Sequence, residues 1–239
     1  MAFQKSVTGL SEKWIQIMPD NTLLSTAAWA LLFIAILAGC STSSIVDEQK
    51  SDTVNLELSS EERLVIMGRR HGNSYETEPD FINCISNNVA NTGKFLVMPE
   101  QEFLDTLYPW FEPRVAPLKL QGMGKTLAIT VVADRIKAIG IRYIIWVDGS
   151  TEITEEKGSM HCGMGPSGGC FGFKSWDKAS SYEATIWDLK HLTEKGKVKV
   201  DSKGASYVLG IIAPIPLIAQ VRGVACEGIS SRLKGFFSQ

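Results

Sequence analysis

Hydrophobic and polar positions divide this chain into a long apolar run, a polar stretch and then a series of short alternating segments. Leu23 to Gly39 is almost wholly apolar, and 17 helical residues cover roughly 25 Å, short for a hydrocarbon core of about 30 Å. From Ser41 to about Glu61 the residues are mostly Ser, Thr, Asp, Glu and Lys, the pattern of a flexible linker. Leu64-Val65-Ile66-Met67 reads as a strand buried on both faces. Gly68 to Glu78 reads as a loop. Pro79 then opens a helix with Phe81, Ile82, Ile85 and Val89 on one side, ending near Thr92-Gly93.

Phe95 to Met98 reads as a second strand, and Glu100 to Tyr108 as a short helix with acidic residues in its first turn, where they suit the helix dipole. Pro109, Pro113 and Pro117 mark an irregular connection. A helix over about Thr126 to Ile139 and a strand over Ile141 to Val147 follow. Gly158 to Lys174, with six glycines and two cysteines, reads as an irregular hairpin loop. Ser180 to Leu189 alternates like a half-exposed antiparallel strand, and Val198 to Asp201 continues after a polar turn. Pro214 and Pro216 break the next apolar stretch before a last helix, roughly Leu217 to Phe237. The pattern contains no long amphipathic strands of the kind a secretion pore inserts. It predicts an α/β chain of the α+β variety, a single mixed sheet with helices packed on it over 63–239.

Leu37-Ala38-Gly39-Cys40 closes the apolar run in the form of a bacterial lipobox, with small residues directly before the cysteine. On this reading 1–39 is a signal segment and Cys40 becomes a diacylated amino terminus carrying palmitate-like chains. Residues 40–62 are then a lipidated tether. The alternative is an uncleaved transmembrane helix, which the distant cations Lys5 and Lys13 and the intervening Asp20 favour. By resemblance to bacterial lipoproteins, Ser41 implies export to the outer membrane, facing the periplasm, because an Asp there retains such proteins in the inner membrane.

Charge changes the picture little. Removing Lys5, Lys13, Glu12 and Asp20 from the 24 cations and 26 acids leaves 22 and 24, with no basic excess for nucleic acid. Four cysteines remain beyond Cys40, an even number that fits an oxidising compartment. Cys162 with Cys170 is the preferred pair, leaving Cys84 and Cys226 to join two helices; buried free thiols are the alternative.

The order of elements resembles the compact envelope domain shared by the curli-secretion lipoprotein, the penicillin-binding-protein activator lipoprotein LpoB and the amino-terminal domain of TolB. The residues that carry it are Leu64 to Met67, Met98-Pro99-Glu100-Gln101-Glu102-Phe103-Leu104, Gly140 to Ser150 and Trp187-Asp188-Leu189. The resemblance implies a non-enzymatic domain that binds other envelope components or itself, and no cofactor.

Candidate chemistry concentrates in the glycine-rich loop. Gly165-Pro166-Ser167-Gly168-Gly169 matches a nucleophile elbow, and Asp177 or Asp188 with His191 would complete a hydrolase triad in chain order. The elbow needs a following helix, which Cys170-Phe171-Gly172-Phe173 does not start. Gly163, Gly165 and Gly168 have dinucleotide-loop spacing, and Gly124-Lys125-Thr126 has the end of a phosphate loop, both without their required context. His161, Cys162 and Cys170 could hold a soft metal, but no fourth ligand is near, and a disulfide-closed tip is the preferred reading. Phe171, Phe173 and Trp176 around that tip are the candidate anchors for a partner, since aromatic residues are enriched at interface hot spots.

Overall fold

The computed structural model describes residues 42–50, 56–71, 74–111, 116–117, 120–163, 168–210 and 213–237. Cys40, the residues read as a signal segment and Ser167 lie outside them. Among the described residues the elements in chain order are β1 (Thr42–Lys50), β2 (Arg63–Gly68), β3 (Arg70–His71), β4 (Ser74–Tyr75), α1 (Pro79–Ala90), β5 (Leu96–Met98), α2 (Glu100–Thr106), α3 (Leu120–Leu127), α4 (Thr130–Ala138), β6 (Ile141–Cys162), β7 (Cys170–Asp188), β8 (Thr193–Gly210), β9 (Pro214–Leu217) and α5 (Val221–Phe237). The fold is α/β. An open mixed sheet has the order β1-β8-β7-β6-β2-β5, with β9 beside β8, and β3 and β4 form a separate small hairpin.

Strand β2 is parallel to both neighbours, as expected of a strand buried on both faces. Leu64 and Ile66 enter one core with Phe81, Ile85, Tyr182, Val200 and Ile229, beneath α1 and α5. Val65 and Met67 enter a second core on the opposite face with Phe103, Phe111, Met123 and Ile136, beneath α2, α3 and α4. The pleat alone makes this division, because successive side chains of a strand point to opposite faces. The helix expected over about Thr126 to Ile139 is two helices, α3 and α4, broken at Ala128 and Ile129.

Several expectations change. The polar stretch read as a tether begins with a strand: Thr42–Lys50 pairs antiparallel with β8, from Thr42↔Gly204 to Lys50↔Gly196. Only Val46 of β1 packs on the core, so hydrogen bonds to β8 rather than apolar burial hold this strand, and composition could not reveal it. Leu56 is also buried, and Tyr143 Oη donates to the Glu57 carbonyl at 3.1 Å, so order begins well before Arg63.

The loop expected at 158–174 is mostly strand. β6 continues to Cys162 and β7 starts at Cys170, paired residue by residue to Cys162↔Cys170. The strand read over Val198 to Asp201 is likewise only the middle of β8, which runs on through Lys203 and Gly204. Strands of 22, 19 and 18 residues therefore replace the short ones read from the sequence, and long strands are present after all. Pro214 and Pro216 lie in β9, an edge strand, where a missing N–H is tolerated.

Candidate interaction arm

Helix α5 covers β8 only as far as its first residue, Val221, which packs beside Gly204. Beyond that row β6, β7, β8 and β9 run on as an arm: Lys178 to Cys170 is roughly 25 Å of strand at about 3.3 Å per residue. Gly158 and Gly172 have φ of +86° and +137°, and a Cβ on either would run into a backbone carbonyl of the neighbouring strand. Glycine is therefore required at both for the strands to stay paired at this twist. The Cys162–Cys170 disulfide closes the tip, with the two Cα atoms 4.1 Å apart. The second bridge, Cys84–Cys226, joins α1 to α5.

At the arm's base, three side chains fasten it to α1. Tyr182 Oη donates to Glu78 Oε2 at 2.9 Å, and Glu78 Oε1 accepts the Thr151 amide at 2.9 Å. Thr151 Oγ1 lies 2.7 Å from Tyr182 Oη, and because the phenol's one hydrogen goes to Glu78, the threonine is the donor. Burial pushes the Tyr182 hydroxyl far above its ordinary range, and the Glu78 carboxylate adds to this, so it stays protonated. Phe81 stacks on the Tyr182 ring, centroids 3.6 Å apart. A cleft of about 600 Å³ opens here, lined by Glu78, Asp80, Phe81, Ile153, Lys178 and Arg222, with charges of both signs.

The outer edge of β6 is the arm's most consequential feature. Pairing with β2 ends at Gly68↔Val147, and Glu78 takes the Thr151 amide. From Glu152 to Cys162 no described strand pairs on that side. Such an edge presents a row of backbone donors and acceptors to any extended segment.

The three aromatic candidates separate. Phe171 and Phe173 are exposed on one face of the arm, at 60% and 44%. Trp176 is odd-numbered steps away, points to the other face opposite Glu156 and Ser206, and is half-buried. The residues that join the phenylalanines were not legible from the sequence: Leu209 and Ile215 lie in register with Phe173, and Tyr207 stacks on its ring at 6.0 Å.

The other chemistry does not assemble at the tip. Asp188 and His191 do pair, Nδ1 to Oδ2 at 2.8 Å, but at the far end of β7. A 19-residue strand separates Asp188 from Cys170 by roughly 60 Å, while Ser167 can stand no more than about 11 Å of chain from Cys170. Asp177 is near the tip but distant from His191 by the rest of β7. The triad therefore cannot form within one chain. β7 rather than a helix follows the glycine spacing, and Gly124-Lys125-Thr126 lies inside α3, not at a loop-to-helix junction. With the sulfurs of Cys162 and Cys170 joined, they offer no thiolates to a metal beside His161.

Asp188 instead anchors the base of the sheet. It is 1% exposed and meets Arg142 Nη2 at 3.0 Å, Lys195 Nζ at 3.6 Å and the amides of Lys190 and His191 at 2.9 and 3.3 Å. Burial alone would raise its pKa; the His191 hydrogen bond, the Arg142 charge and the two amides outweigh this and hold it below the ordinary carboxylate range.

The class these features define is an α/β domain with an open mixed sheet extended into a disulfide-closed arm. No protein-family model matches the chain, and no curated protein matches it by sequence. Among solved structures it is similar to PelC from Paraburkholderia phytofirmans, a dodecamer. A single-substitution variant of PelC is 10% identical over 82% of this chain and all of that one, with a TM-score of 0.38. A second crystal form gives 9% identity, coverage of 82% and 99%, and a TM-score of 0.36. At this distance the likeness carries no argument about activity or assembly.

Proposed function

We propose that this chain is an envelope lipoprotein, attached by a diacylglyceryl group on Cys40 to the outer membrane, whose periplasmic domain is a non-enzymatic binding and assembly module. The observation that carries this reading is the arm, with its unpaired β6 edge from Glu152 to Cys162. A partner strand adding to that edge gains backbone hydrogen bonds without remodelling the core. The resemblance to the curli-secretion, LpoB and TolB group supports the same kind of role.

The test is capture of partners from membranes with the full-length chain. Ile153→Lys with Ser159→Lys places cations on the edge, a common natural means of blocking strand addition. Capture should fall at least about tenfold while both disulfides form normally. Undiminished capture refutes the edge as the binding surface. Ser167→Ala should leave capture and biological activity unchanged; loss of activity would contradict a purely binding role for the arm.

A second reading, an oligomeric secretion component, is favoured by the unpaired β6 edge, which a strand from a second copy of the chain can extend. The mass of the detergent-extracted protein decides it. A ring-sized particle supports assembly, and a monomer excludes it.

A further inference from the structure

We infer that the tip of the arm is a second membrane contact, seated in the interface of the same leaflet that holds the acyl group; this rests on the lipoprotein reading for Cys40. Phe173, Leu209 and Ile215 form one row across three strands, and Phe171 and Tyr207 lie on the same face to either side of it. Phe171, Phe173, Leu209 and Ile215 are 60%, 44%, 37% and 54% exposed, so this is an uncovered apolar face and not part of either core. Toward the base the same face turns polar, at Asp177, Lys157 and Lys203.

The band's height decides what kind of membrane contact it can make. From the row of Tyr207 to that of Phe171 is about four residues, roughly 13 Å of strand. That is too short to cross a core of about 30 Å and little more than the 5–10 Å to which interfacial apolar faces sink. Aromatic side chains suit that depth, where an apolar ring meets the headgroup region.

The chain's own course says why the occupant is lipid. β1 begins with Thr42 opposite Gly204 and runs away from the tip, so its amino-terminal end faces the tip. Cys40 precedes Thr42 by two residues, which span at most about 7 Å. An acyl group on Cys40 is thereby attached within about 7 Å of chain from Thr42, on the tip-facing end of β1 and three residues of β8 from Tyr207. Lipid held there brings the band to the bilayer surface.

The experiment places a photo-crosslinking benzoylphenylalanine at Phe173 of the full-length chain in cells, with Ile215 as a second site should the first variant fail to form its disulfides. Asp177, on the same face below the band, serves as control. Lipid adducts at Phe173 or Ile215 at least about fivefold above Asp177 are expected. Adducts to a second copy of the chain, adducts to another protein, or lipid adducts no higher than at Asp177 would each overturn the inference. Mass analysis of the Cys40 peptide separates the two proposals. Acylated Cys40 with no lipid adduct at the tip defeats the tip contact alone. Unmodified Cys40 overturns the lipoprotein reading and, with it, the inference, whatever the tip crosslinks.

Discussion

Asp188 is the residue on which the base of the sheet depends most. Its charge is buried yet compensated by Arg142, whose side chain is 11% exposed, so removing the carboxylate leaves a nearly buried guanidinium without its counter-ion. Asp188→Asn should therefore destabilise the protein by about 3 kcal/mol, read from the urea midpoint at pH 7. The pH dependence has a definite sign. The folded-state pKa is depressed, so the contribution is fully present above the unfolded value of about 3.9 and is lost as pH falls through the lower folded value. The stability difference between wild type and Asp188→Asn should shrink in that acid range, and a difference that grows on acidification would contradict the assignment. At the arm's base, Tyr182→Phe removes the donor to Glu78 and should cost roughly 1–2 kcal/mol, with Phe81 stacking retained.

At the scale of elements, the two disulfides differ in what they constrain. Cys162–Cys170 spans 8 residues of sequence and Cys84–Cys226 spans 142. By the loop-entropy relation these correspond to about 2.5 and about 5 kcal/mol. Replacing each pair by Ala in separate variants should show the long bridge to be the costlier loss in denaturant titrations. Equal losses would mean that the unfolded state is already compact enough to make loop length irrelevant.

The helices were largely legible because each buries one stripe: Phe81, Ile82, Ile85 and Val89 announce α1, and Ala225, Ile229, Leu233 and Phe236 announce α5. The arm was not. Its strands lie open to solvent from Glu152 to Cys162 with no core face to enforce an alternation, and what holds them is pairing to β7, which sequence pattern does not display.

For the whole molecule, stability and interaction are assigned to different parts. Both cores lie between the helices and the lower part of the sheet, and none of the buried hydrophobic residues comes from β6 beyond Val147 or from β7 before Tyr182. Replacing 158–174 by a tight turn should then lower unfolding stability by no more than about 3 kcal/mol, roughly the share of the Cys162–Cys170 bridge it removes, while abolishing partner capture. Collapse of the domain on that deletion would show that the arm supports the cores.

The sequence by itself determined the local pieces: buried strand β2, helices α1 and α5, and the pairing of Cys162 with its near neighbour Cys170. Each rests on short-range periodicity or proximity, which a chain carries without its fold. The tertiary structure decided what distant segments make together. Arg142 and His191 meet at Asp188 because β6 and β7 are adjacent. Leu209 and Ile215 join Phe173 because three strands share a register, and β1 belongs to the sheet because β8 offers it an edge. Such contacts arise from pairing between distant segments, and pairing is a property of the assembled sheet rather than of any stretch of residues.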